Sequence, residues 1–184
     1  MDYVAGVRVR ASRIRGAVWS GLIRLAGGSV GRDLRIERGA RLRWSPHSGI
    51  SLGDSVYIGV GVIIDCPSGG QLTLGDGVKV MHYSVMGCQD AITIGDHSQI
   101  AEHSTIRDQD HDVRSGADMM HSSVTSPVFL GEDVWVGRGC AILRGSIIGH
   151  GSVVAANSVV RGEVEPNTIV AGAPARPIRR RAPQ

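Results

Sequence analysis

The chain has 184 residues, enough for one domain with a real core and too few for two comfortable ones. With 26 glycines and only 4% aromatic residues, it does not fit an ordinary sandwich or helical bundle; the core must be aliphatic and small, with many tight corners. The net charge of +3 is concentrated at the ends, in Arg8, Arg10, Arg13, Arg15 and Arg24 and in Arg176, Arg179, Arg180 and Arg181, so the ends are where anions should be met.

Residues 1–28 form a first segment. Val7, Ala11, Ile14, Val18, Leu22 and Leu25 recur at helical spacing with arginines around them, which predicts an amphipathic helix over 4–25. One use is a cap over the open end of the next domain; the other is peripheral contact with an anionic membrane surface. No apolar run approaches the roughly 20 residues that span a bilayer, and the arginines break any secretory signal. Cys66, Cys88 and Cys140 have neither pairing nor metal-ligand spacing. A cytoplasmic protein is therefore expected, at the inner face of the membrane if the helix binds there, with no nucleic-acid partner and no metal.

Residues 29–170 carry a period of six. Weak coils at Val30, Ile36 and Leu42 lead to Leu52, Ile58 and Ile64, then Leu74, Val80 and Met86, then Ile94, Ile100 and Ile106. After a gap come Leu130, Val136, Ile142, Ile148, Val154 and Val160. Gly often follows the aliphatic, and a small residue stands four places on. Six residues make one short strand and a corner, and three such units close a triangular coil, so the expected fold is all-β, a left-handed parallel β-helix of hexapeptide repeats. Gly is expected to permit the corner conformation. The gap after Ile106 predicts a long loop over 112–127, and 171–184 is a basic tail.

Seven histidines invite comparison. His97 and His150 stand at exposed places of ordinary hexads, His47 lies in an irregular early stretch, and His121 lies within the insertion. His111 ends a coil where the chain leaves for its long loop, a rigid position facing a flap, and histidine suits proton removal near neutral pH. Asp90 and Asp110 are expected at inward places beside it, where one could orient the ring. Cys140 is read as core.

From about residue 50 to 180 the chain resembles the hexapeptide-repeat acetyltransferases, the group of galactoside, maltose and polysaccharide O-acetyltransferases. Ile94-Gly95-Asp96 leads seventeen residues on to His111; Pro127 opens a stretch closed by Val134-Trp135-Val136-Gly137; Ala171-Gly172-Ala173-Pro174-Ala175-Arg176 ends the domain. The resemblance implies a homotrimer with sites between subunits, acetyl-CoA as acyl donor, and His111 as catalytic base. It further implies donor contacts from Trp135, Arg138 and Ala156 and, toward the phosphates, from Arg176 and Arg179. Where galactoside-type members carry an Asn and an Asp for the acceptor, this chain has Met81 and Gln89, so Met81, Gln89 and Asp90 become candidates for a different saccharide or glycolipid acceptor. The activity implied is O-acetylation of a sugar hydroxyl of a saccharide, glycolipid or surface-polysaccharide precursor. The alternatives are N-acetylation of an amino-sugar nucleotide or antibiotic, and a non-catalytic or carbonic-anhydrase-like hexapeptide protein, for which His82 and His103 are near the right coils.

Overall fold

Each hexad folds as a short strand and a corner, and successive strands fall in turn on three faces of a prism. The computed structural model describes residues 3–114, 116, 118 and 120–182, with side chains from residue 9 onward. The outermost residues of the 1–28 and 171–184 segments, three positions of the 112–127 loop and the Val7 side chain lie outside the described residues.

The first face runs from Ser29–Val30 to Glu163–Val164 in seven parallel strands. The second runs from Arg35–Ile36 to Thr168–Gly172 and ends in an antiparallel strand, Ala175–Arg180. The third runs from Arg41–Leu42 to Val159–Val160 in six. Register stacks like upon like: Ile94 pairs with Leu74 and Leu130, Ile100 with Val80 and Val136, Ile106 with Met86 and Ile142. The fifteen aliphatics from Leu52 to Val160 are each at most 3% exposed. Beside them the small residues are buried too, and their hydroxyls are satisfied across the turns: Ser98 donates to the Gly131 carbonyl at 2.8 Å and accepts from the Val134 amide at 3.0 Å. A buried hydroxyl without such partners would cost more than its packing returns.

The glycine that often follows the aliphatic serves a different purpose from the one expected. A Cβ on Gly95 would lie 2.6 Å from the Gly131 carbonyl carbon, and on Gly75 2.2 Å from an Asp96 carboxylate oxygen, while neither backbone is left-handed. Close approach of the next turn, not conformation, demands Gly there. Left-handed φ falls two places later, often on non-glycine residues such as Ser55, Tyr83, His97, His103 and Asn157. The aspartates beside the glycines form a ladder: Asp96 accepts the Asp76 amide at 2.8 Å, Asp76 the Asp54 amide at 2.7 Å, and Asp54 the Arg32 amide at 2.7 Å. The Ile94-Gly95-Asp96 sequence is thus a corner joint.

The helix, Tyr3–Leu25, lies across the first turn, where Arg15 donates to the Ile36 carbonyl at 2.8 Å and Arg24 to that of Val30. Its apolar stripe does not face the β-helix. Ser12, Gly16, Ser20 and Ile23 face the β-helix, and Ile14, Val18, Leu22 and Leu25 face outward, 51% to 88% exposed. The reason is steric: a Cβ on Gly16 would collide with the Leu34 carbonyl oxygen, so only the small-residue face can meet the first turn.

Gly95→Ala should therefore destabilise the protein by about 1–3 kcal/mol in denaturant unfolding, by overpacking against the next turn. Gly21→Ala, on the exposed side of the helix with nothing near its added Cβ, should instead stabilise it by up to about 1 kcal/mol.

Candidate active site

The insertion after the third-face strand Thr105–Arg107 begins as an antiparallel hairpin. Gln109–His111 pairs with Ser123–Thr125, and His111 lies opposite Ser123. The base is closed by the Ser126 amide donating to the Asp108 carbonyl at 2.8 Å, and the next rung by the Asp112 amide donating to Ser122 at 3.0 Å. Beyond His111 the buried Asp112 carboxylate accepts the Arg114 Nε–H and the Arg114 backbone N–H, at 2.9 and 3.0 Å from the same oxygen. This guanidinium and amide hold the Asp112 carboxyl down at about 2.

The acid that turns inward is Asp108, and neither Asp90 nor Asp110 does. Alternation through Ile106 (in), Arg107 (out) and Asp108 (in) continues past the strand, so the expected hexad place at 110 is never reached. Asp108 is fully buried, and its two carboxylate oxygens accept the amides of Gln89 at 2.9 Å and Asp90 at 2.8 Å. Burial pushes this carboxyl up, and the two amides pull it back. The Asp108 side chain thus holds the corner that presents Gln89, whose amide oxygen accepts from Ser123 at 3.2 Å.

His111 is exposed and borders two depressions. One, of about 380 Å3, is lined mostly by polar residues, among them Gln89, Arg107, Gln109, Ser123 and His121; the other, of about 640 Å3, includes Arg114, Arg144 and Arg161. Neither aspartate expected to orient the ring is bonded to it: Asp110 instead accepts from Arg144 Nε at 2.9 Å, and Asp90 contributes its amide to Asp108. Asp108 and Arg144 escaped the reading of the sequence, in which His121 stands only as a residue of the insertion. Arg144 follows Asp108 by the offset that pairs Ile106 with Ile142, a signal hidden by the insertion. His121, within the insertion, pairs with Asp118 at 2.8 Å and reaches the same depression as His111. Gln89 and Asp90 stand at this corner, whereas Met81 belongs to the corner between the second and third faces.

The donor-side candidates lie elsewhere on the prism. Trp135 is 55% exposed on the second face, in an outward row that runs Gln99, Trp135, Val153, Ile169, Arg179. Arg138 and Ala156 are exposed at the corner after that face, and Arg176 pairs with Ala171 on the last strand. His111 sits at the corner after the third face. Within one chain the proposed base and the proposed donor contacts occupy different edges. His82 accepts the Val60 amide at 2.9 Å and His103 stacks on Tyr83 at 5.3 Å, so both are engaged at the corner with Met81. Cys66, Cys88 and Cys140 are buried; the Cys66 thiol and burial push Cys88 up, burial pushes Cys140 up, and neither is an exposed thiolate.

The family pattern for bacterial transferase hexapeptides (six repeats) matches residues 127–162. The chain is 36% identical over 140 residues, 71% of each chain, to WbbJ of Escherichia coli (strain K12), which is named, provisionally, a lipopolysaccharide biosynthesis O-acetyl transferase. Among solved structures, a hexapeptide-repeat acetyltransferase of Vibrio cholerae O1 biovar eltor, complexed with acetyl coenzyme A, is 28% identical with a TM-score of 0.65, over 79% of this chain and 73% of that one. A mutant of the N-acyltransferase AntD from Bacillus cereus, in complex with dTDP and coenzyme A, shares the fold at a TM-score of 0.78 and 24% identity, over 88% of each chain.

Asp108→Asn keeps one acceptor and turns an NH2 group toward the other amide. It should cost about 1–3 kcal/mol in denaturant unfolding, the penalty of one unsatisfied donor. Arg114→Ala should let the Asp112 carboxyl rise from about 2 toward its unperturbed value near 3.9, a change readable by NMR titration of that carboxyl.

Proposed function

The chain belongs to the hexapeptide-repeat acyltransferases, and from that premise we propose that it moves an acetyl group from acetyl-CoA to a hydroxyl of a saccharide, glycolipid or surface-polysaccharide precursor. The observation that carries this reading is His111, an exposed imidazole on a hydrogen-bonded hairpin, bordering a polar depression large enough for a sugar ring. His111 accepts the proton of the acceptor hydroxyl as that oxygen bonds to the thioester carbonyl carbon; the carbon–sulfur bond then breaks, and the departing sulfur takes the proton from the imidazolium. Gln89, Gln109 and Ser123 supply acceptor hydrogen bonds at the same wall.

The donor fits the second-face row. Trp135 and Val153 offer an apolar track for the pantetheine, Arg138 and Ala156 flank the thioester, and Arg176 and Arg179 meet the phosphates. Because these residues and His111 occupy different edges of one prism, a complete site takes the base from one copy and the donor track from a neighbour. A closed ring of three copies satisfies every such edge, and we propose a homotrimer. Oxygen over nitrogen as the nucleophile rests on the higher identity to the relative named an O-acetyl transferase; the AntD likeness makes amino-sugar acylation the competing outcome.

Thiol release from acetyl-CoA, screened over free sugars and nucleotide sugars, should identify an acceptor, and the product should lose its acetyl group to mild hydroxylamine, as an ester does and an amide does not. On that acceptor His111→Ala should lower turnover about 10²–10⁴-fold. His121→Ala should not, nor should His97→Asn, which suits the left-handed corner at 97. Loss in the His121 variant alone would transfer the role of base to the His121–Asp118 pair. In calorimetry Arg176→Ala should weaken acetyl-CoA binding about tenfold or more, the worth of a charge-assisted hydrogen bond. Light scattering should give three chains per particle; a monomer would remove the shared site.

A further inference from the structure

We propose that the outward face of the N-terminal helix is a docking surface for an anionic lipid bilayer, on which the helix lies flat. The helix is packed inside out. Its contact with the first turn is made by Ser12, Gly16, Ser20 and Ile23, with Trp19 packed partly buried against the core, and the serine hydroxyls are satisfied within the helix, Ser12 on Val9 at 2.9 Å and Ser20 on Gly16 at 2.8 Å. Gly16 against the Leu34 carbonyl prevents the helix from rolling its apolar side inward. Ile14, Val18, Leu22 and Leu25 are therefore held in the solvent as one stripe, at the i, i+4 and i+3 spacing that aligns side chains along a helix. A helix placed only to cap the β-helix would have no use for four large aliphatics on its far side.

The charge around the stripe selects the occupant. From Tyr3 to Leu25 the helix holds five arginines and no acid. At about 100° per residue, Arg10 falls at one border of the stripe and Arg15 at the other, while Arg13 and Arg24 lie further round, toward the β-helix. Arg13 and Arg15 pair with Asp33 and Glu37 at the rim of the first turn, Arg24 caps the Val30 carbonyl, and Arg10 is exposed. An apolar stripe bordered by guanidinium groups matches a bilayer interface, where aliphatics enter the acyl boundary and cations meet lipid phosphates. The same face of a second copy would oppose arginine with arginine. The helix has 23 residues but no stretch apolar enough to cross the membrane, so it lies on the surface.

The inference does not depend on the acetyl-transfer reading, and vesicle flotation of the full chain tests it. The wild type should float with vesicles of phosphatidylcholine and phosphatidylglycerol, stay behind with phosphatidylcholine alone, and release as salt is raised. Replacing Ile14, Val18 and Leu22 together by Ser should reduce partitioning about tenfold or more, with helix content and particle size unchanged. Should the triple variant lose its fold, Leu25→Ser, at the most exposed position of the stripe, should still reduce partitioning measurably. The proposal is overturned if the wild type ignores anionic vesicles, or if the folded triple variant or Leu25→Ser floats as well as wild type. It is equally overturned if the triple variant dissociates into smaller particles in light scattering, which would make the stripe a contact between copies.

Discussion

Successive turns of this protein approach so closely at the corner after the first face that one methyl group would strike the main chain of the next turn. The spacing is that of parallel backbone pairing, about 4.8 Å, and the rest of the architecture follows from it. Glycine fills the contact, the neighbouring aspartate reaches back one turn to an amide, and the large aliphatic before the glycine stacks on its counterpart above and below. A serine or valine four places on completes the layer, and a buried serine returns its hydrogen bonds to the adjacent turn. With the interior completed turn by turn, the corners need only join strands, which leaves them free to carry a hairpin.

The interior could be read from the sequence because its constraint repeats. Fifteen positions share one environment, so each repetition reinforces the others. The candidate site was less legible for the opposite reason: it begins where repetition stops. Asp108 obeys the alternation of a strand that runs two residues past its hexad, and period six therefore pointed to Asp110. The relation between Asp110 and Arg144 spans the insertion, which hides the offset that aligns their turns. The helix was legible, but its facing was not. Apolar periodicity identifies a helix and its apolar side, but which side faces the protein was decided by Gly16, whose lack of a side chain is what the first turn requires.

The hairpin and the second-face row illustrate how a prism distributes chemistry. A side chain on a strand can point only in or out, and the inward positions are taken by the core, so reactive groups are confined to outward rows and corners. One chain therefore offers a basic end, an aromatic and arginine row on one face and an imidazole on a different edge. Joining them is a matter of how copies are set side by side, and this makes association part of the chemistry proposed for the site.

The stacking of turns also separates height from direction. His111 leaves the prism after the fourth strand of the third face, so three turn spacings, about 14 Å, set its height above the first turn and the helix across it. Adding or removing one complete turn would shift that height by a single step and leave every edge pointing where it did. Adding or removing one hexad would change the height little and swing the imidazole to a neighbouring edge. Distance along the axis and azimuth around it are thus independently adjustable, and a fold built this way works as a graduated ruler whose marks can be moved without bending it.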